Sequence, residues 1–193
     1  MAEQLQRHTF VVYVEDKPGV LNRVASLFRR RGFNIESLAV GHTDTPGASR
    51  MTIVVLTDAG GARRLEANLY KLVNVLRVQD VTEVPAIYRE LAMIKVATTQ
   101  ATRTDVMQLV DVFRARAVDV APESVVIETT GTEEKIDSLL EVLRPYGLLE
   151  VVRTGRVAMV RGPRGVVVDP ADLPARGPRG AAAPDDRDVS HSV

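Results

Sequence analysis

One arrangement of apolar residues occurs twice in this chain, and it dictates two similar folding units in tandem. Phe10-Val11-Val12-Tyr13-Val14 is a short run of β-branched and aromatic residues, the composition of a strand. From Pro18 to Arg31 apolar residues recur at Val20, Leu21, Val24, Leu27 and Phe28, the spacing of one helix face. Phe33 to Val40 then reads as a strand, Pro46-Gly47 turns the chain, and Met51 to Leu56 reads as a third strand. Leu65, Leu69, Leu72 and Val73 stripe a second helix, and Val75 to Val78 form a fourth strand. The order is βαββαβ.

The pattern begins again near Glu90. Leu91 to Val96 predicts a strand, and Val106, Leu109, Val110 and Phe113 predict a helix. Val118 to Val120 and Val125 to Ile127 are strands around the turn Ala121-Pro122-Glu123-Ser124. Ile136, Leu139, Leu140 and Leu143 stripe a helix that Pro145 and Gly147 close. Leu148 to Arg153 and Val157 to Val160 supply a last strand or a short hairpin. The expected class is α+β: two tandem ferredoxin-like βαββαβ units, each an antiparallel four-stranded sheet with helices on one face. The expected boundaries are 8–83 for the first unit and 84–165 for the second.

Beyond Arg161 the character changes. Half of the ten prolines lie there, and Gly-Pro-Arg-Gly occurs at 162–165 and again at 177–180. Such a segment buries too little apolar surface to offset its ordering entropy, so 166–193 is expected to be a disordered tail.

Composition narrows the function classes. An apolar fraction of 45% with 26% charged residues is that of a folded protein, and the formal net charge is zero. That balance removes the general electrostatic case for nucleic acid or an anionic membrane. Arg29-Arg30-Arg31 is the one basic cluster of note, and cations in the last turn of a helix before Gly32 suit the helix dipole. There is no cysteine, which excludes disulfides, thiol catalysis and thiolate-bound metals. The polar start, without a leader-like apolar core, and the lack of a spanning apolar run lead us to expect a cytoplasmic protein with no membrane partner.

The feature that carries chemistry is the first strand-to-helix turn, Glu15-Asp16-Lys17-Pro18-Gly19. Pro18 fits the first helical position, where its missing N–H is no loss. Gly19 leaves the backbone open, so that the N–H groups of Gly19 and Val20 are expected to point outward at the positive end of the helix dipole, ready for a carboxylate. Asp16, just before the helix, offers acceptors for an ammonium. Donors for a carboxylate beside an acceptor for an ammonium match a free α-amino acid, with Val20, Leu21 and Ile35 expected to contact its side chain. The same residues also fit a purely structural role, Asp16 as a helix cap and Pro-Gly as a tight turn. Local spacing does not separate the two.

The wider sequence does. Asp16-Lys17-Pro18-Gly19-Val20-Leu21 ahead of Gly32-Phe33-Asn34-Ile35 resembles an ACT domain, the small-molecule-sensing module of amino-acid metabolism. Arg31 to Leu38, Ser49 to Val54 and Lys71 to Val78 resemble the small regulatory subunit of acetolactate synthase (acetohydroxyacid synthase). So do Phe113-Arg114-Ala115, Asp119 to Ser124 and Arg161-Gly162, and the likeness runs collinearly over about residues 8 to 165. It implies a subunit with no active site of its own, which raises the activity of a large catalytic subunit and confers feedback inhibition by valine or another branched-chain amino acid. It implies that thiamine diphosphate, Mg²⁺ and FAD belong to the catalytic partner. It places the effector where two N-terminal ACT units meet in a homodimer, at Asp16, Gly19, Val20 and Leu21 of one chain and Asn34 and Ile35 of the other. Asp16 stands where many family members have Asn, which keeps an acceptor and loses an amide donor.

The second unit has Ala101-Thr102-Arg103-Thr104-Asp105 where a Pro-Gly turn would fall, so dimerisation or docking is expected of it, with Asp105 as a helix-start charge. Other chemistries find no footing. His8, His42 and His191 lack ligand spacing, and there is no nucleophile elbow or phosphate-binding loop. A pair of RNA-binding βαββαβ units would need aromatics on the central strands, and Met51 to Leu56 and Val118 to Val120 have none. Arg23 and Asn34 lie in the wrong contexts for an acylphosphatase-like hydrolase. The nearer alternative is a standalone amino-acid-binding regulator.

Overall fold

The computed structural model describes residues 4–163; the tail 166–193 lies outside the described residues. The first unit comprises β1 (Gln6–Glu15), α1 (Val20–Arg30), β2 (Ile35–His42), β3 (Ala48–Thr57), α2 (Ala59–Leu69) and β4 (Val75–Asp80). Its strands run antiparallel in the order β2-β3-β1-β4. Period-two alternation turns Phe10, Val12 and Val14 of β1 and Met51, Ile53 and Val55 of β3 to one face. There they pack with Val24, Leu27 and Phe28 of α1 and Leu65 and Leu69 of α2. Burial of this apolar face, at about 25 cal/mol per Å², holds the helices on the sheet.

Local chemistry sets where the helices stop. Gly32, at φ +71°, follows the last turn of α1. Its N–H donates to the Arg29 carbonyl at 3.2 Å, and that of Phe33 donates to the Phe28 carbonyl at 3.0 Å. This is a Schellman closure, with Phe33 folding back onto the core. The stop expected at Gly32 is therefore present, and β2 begins two residues later than its pattern suggested. The second helix ends at Leu69, short of Leu72 and Val73. Tyr70 leaves the helix so that its hydroxyl donates to the Val78 carbonyl at 2.9 Å and accepts from the Val78 N–H at 3.0 Å.

The second unit comprises β5 (Ala86–Ala97), α3 (Arg103–Val112), β6 (Arg116–Ala121), β7 (Ser124–Gly131), α4 (Glu133–Leu143), a 3₁₀ turn (Arg144–Tyr146), β8 (Leu148–Arg153) and β9 (Val157–Val160). Its core joins Ala92, Ile94 and Val96 to Val125, Ile127, Val106, Val110, Ile136, Leu139 and Leu143. The order β6-β7-β5-β8 repeats the first unit, as the duplicated pattern requires. The sheet gains a fifth strand, however, because β8 and β9 do not form a hairpin. Both pair with β5, β8 along Ala92–Val96 and β9 along Ala86–Arg89. Strand β5 is twice the predicted length for this reason. Its first half and β9 lie on the face of the first sheet that the helices leave open, where Val11, Val81 and Ala158 are buried with Tyr13, Tyr88 and Val160 around them.

Candidate functional site

The turn after β1 is built by two Pro-Gly dipeptides side by side. Lys17 to Val20 form one turn, with Gly19 at φ +82°, ψ −6° and the Val20 N–H donating to the Lys17 carbonyl at 3.3 Å. Those angles, after a proline, are those of a type II turn, which needs glycine at this place. Thr45 to Ala48 form the other, with Gly47 at φ +89° and the Ala48 N–H on the Thr45 carbonyl at 3.1 Å. The Asp16 N–H donates to the Gly47 carbonyl at 2.8 Å and joins the two.

Two local expectations are corrected here. Pro18 is not the first helical residue. The left-handed Gly19 breaks the backbone path, and α1 starts at Val20. Nor is the Val20 N–H wholly free, since the turn uses it, and the Val20 side chain is 4% exposed, inside the core. Its contact with any outside ligand would be through backbone alone. Asp16, for its part, does not cap the helix: α1 has no side-chain cap, whereas Asp58 caps α2 and Thr132 caps α4. The remaining first-turn N–H groups of α1 therefore stay available to an outside acceptor.

Asp16 turns instead toward β3 and β2. Its carboxylate accepts from the Ser49 hydroxyl at 3.1 Å and lies 3.3 Å from Nδ1 of His42, with the side chain 45% exposed. Acceptor capacity remains on its open side. Leu21, on the first turn of α1, is 44% exposed.

Beneath the turn lies a network that the residue pattern did not reveal. The Glu15 carboxylate accepts from Lys17 Nζ at 2.9 Å and from Asn74 Nδ2 at 2.6 Å, and Asn74 Oδ1 accepts from Arg23 at 2.6 Å. Glu15 and Asn74 are buried. The Lys17 ammonium holds the Glu15 carboxyl below its usual range, with burial opposing and the Asn74 amide and Arg23 charge adding to the depression. Asn74 comes from the loop before β4, so only the tertiary fold brings it here. A charged Arg23 on the α1 stripe was the available signal.

Asn34 and Ile35 are not beside this turn within one chain. Asn34 is exposed, and Ile35 opens β2 against the core. Asp16 sits at the other end of the strand, where His42 pairs with Ser49. Seven residues of strand separate Ile35 from His42, roughly 20 Å.

In the second unit the equivalent junction has no Pro-Gly turn, and its helix likewise carries no side-chain cap. Arg103 donates to the Ala121 carbonyl at 2.7 Å and to the Pro122 carbonyl, spanning from α3 to the β6–β7 turn. Thr99 and Thr102 close the helix start on each other, and Asp105 lies in its first turn. Among the described residues no group of three or more His, Asp or Glu is placed to hold a metal ion, and no helix is long and apolar enough to cross a membrane.

Comparison with known proteins agrees with this architecture unit by unit. The profile described as the AHAS small subunit-like ACT domain matches residues 10–77, and that of the small subunit of acetolactate synthase matches residues 89–162. The acetolactate synthase small subunit of Mycolicibacterium smegmatis is 49% identical over 166 residues, covering 86% of this chain and 98% of that one. The acetolactate synthase small subunit of Mycobacterium leprae is 50% identical over 162 residues, covering 84% and 96%. The crystal structure of the acetolactate synthase small subunit from Thermotoga maritima superposes with a TM-score of 0.76 at 39% identity, covering 81% of this chain and 98% of that one. Two tandem units, the Pro-Gly turn of the first and the Arg103-bridged junction of the second thus sit in a chain that belongs to the family of acetolactate synthase small subunits.

Proposed function

We propose that this chain is the regulatory subunit of acetolactate synthase in the cytoplasm. It raises the activity of a large catalytic subunit and, as a homodimer through its N-terminal units, binds valine as a feedback inhibitor. Thiamine diphosphate, Mg²⁺ and FAD belong to the catalytic partner.

The observation that carries the dimeric site is the state of the two sheet edges. At β4 the outer edge is occupied by the Tyr70 hydroxyl, which meets both backbone groups of Val78. β2 ends the sheet on the other side with no strand beyond it among the described residues. An open edge invites a second strand, and a two-fold axis pairs like with like in antiparallel sense. Antiparallel pairing of β2 with β2 carries Asn34 and Ile35 of one copy toward the Asp16–Gly19 turn of the other, which a single chain holds roughly 20 Å apart. Valine then fits with its carboxylate at the first-turn N–H groups of α1, its ammonium at Asp16, and its side chain between Leu21 and the partner's Ile35. A ligand shared by two chains stabilises their joint by mass action, and this couples sensing to assembly.

The decisive experiment is reconstitution with the cognate catalytic subunit and titration of valine, leucine and isoleucine. The chain should raise synthase activity, and valine should lower it again. Binding of a branched-chain amino acid without co-purification or any effect on the catalytic subunit would instead identify a standalone regulator.

A further inference from the structure

The loop between β8 and β9 reaches out of the second unit and meets β2 of the first at Ser37, with the Leu38 backbone alongside. The backbone N–H of Arg156 donates to Ser37 Oγ at 2.9 Å. Gly155, at φ +81°, comes so close that a Cβ there would lie 2.6 Å from the same oxygen. The Arg156 side chain, 15% exposed, then ties three elements together. One guanidinium nitrogen donates to Thr9 of β1 at 3.1 Å and another to Glu133 at the start of α4 at 2.7 Å. Its plane lies over the Tyr88 ring at 5.0 Å. Glu133 also faces Arg7 at 3.4 Å, and Arg7 holds Glu36 of β2 at 2.8 Å.

Ser37 is where β2 is least determined by its own sheet. The β2–β3 register shifts between Ile35 and Ser37, so the strand start is not fixed by an unbroken ladder. A contact at the bulge decides where the residues before it lie, and those residues are Asn34 and Ile35. We propose that Arg156, with Gly155 and Ser37, is a positioning device by which the second unit sets the effector affinity of the first. This rests on the reading of Asn34 and Ile35 as the partner wall of the valine site. It assigns the second unit a share in sensing, although its own junction lacks the Pro-Gly turn.

The test compares Ser37→Ala, Ser37→Thr, Arg156→Met and the double variant Ser37→Ala/Arg156→Met in the reconstituted holoenzyme. Loss of one such hydrogen bond should raise the half-inhibitory valine concentration roughly three- to tenfold, with activation in the absence of valine and the maximal extent of inhibition unchanged. Ser37→Thr, which keeps the hydroxyl, should stay near the wild type. The double variant should be little worse than the worse single one, because the Arg156 side chain holds in place the backbone N–H that Ser37 receives, so either change frees the same loop. An unchanged half-inhibitory concentration in Ser37→Ala overturns the proposal, and that small change decides the matter if Arg156→Met fails to fold. A lower melting temperature with unaltered valine response marks the brace as structural only and also overturns it. A wild-type holoenzyme indifferent to every branched-chain amino acid removes the functional reading itself, and this proposal with it.

Discussion

The Ser49 hydroxyl donates to the Asp16 carboxylate at 3.1 Å, and this bond aims the more exposed of the two acidic groups in the turn before α1. Asp16 precedes a helix that no side chain caps, yet it does not fold back to cap it. Its direction comes from β3 and from the Gly47 carbonyl that receives its N–H. Asp16→Ala should therefore weaken valine binding by about tenfold or more, since an ammonium loses a charged acceptor worth roughly 1.5–3 kcal/mol. Ser49→Ala should weaken it less, roughly two- to fivefold, because the carboxylate remains but is no longer held. Isothermal titration on the free subunit measures both, and equal affinities for Asp16→Ala and wild type would remove the ammonium contact.

Gly19 separates a backbone requirement from an electrostatic one. At φ +82° any side chain carries a left-handed cost of about 1 kcal/mol, with Asn and Asp tolerated best. A Cβ there meets nothing within 4 Å, so packing adds no penalty. Gly19→Asn and Gly19→Asp should then lose similar stability while differing in charge at the mouth of the helix. Gly19→Asp should abolish valine inhibition with activation largely retained, and Gly19→Asn should keep a weakened inhibition. Equal loss in both would assign the effect to backbone strain and not to competition for the anion site.

Much of this fold is legible in the residue order. Phe10, Val12 and Val14 alternate, Val20, Val24, Leu27 and Phe28 keep the helical period, and burial follows both. What stays hidden has a common cause, which is pairing across distance. Nothing in Val157–Val160 says that it joins the first half of β5 and leaves β8 unpaired on that side. Leu72 continues the α2 stripe, but the Tyr70 hydroxyl finds β4 and ends the helix first. At the turn, Asp16 and Gly19 were readable from their types and spacing. Asn74 under Glu15 was not, because 59 residues separate the pair.

The Glu15 network has a pH signature. Its carboxyl is held below the ordinary value of 4.5, principally by Lys17. A depressed folded-state value means stability that is present above the unfolded value and lost as pH falls through the folded one. Glu15→Gln should lower stability at pH 7 by roughly 1.5–3 kcal/mol, the range for a hydrogen bond to a charged group. The gap between variant and wild type should close as pH drops below 4.5, where the wild-type carboxyl takes up its proton. Thermal melts of both proteins from pH 7 to pH 3 provide the measurement, and a gap that stays constant or widens on acidification would contradict the network's role.

Assembly through β2 is testable at Val40, which faces the helix side of the open edge and is 48% exposed. An apolar side chain of that size on an edge strand gains by being covered, and lysine at the same place is a known obstacle to edge pairing. Val40→Lys should leave the monomer folded, because the side chain already reaches solvent and no core contact is lost. It should shift the subunit from dimer toward monomer in sedimentation velocity and raise the valine concentration needed for inhibition, since each site would lose its second wall. Tyr70→Phe is the matching control at the other edge. It opens the backbone of Val78 and should cost about 1 kcal/mol of stability without moving the dimer equilibrium. Dimers that survive Val40→Lys with unchanged stability would remove β2 from the joint, and the valine site would then lose its second wall.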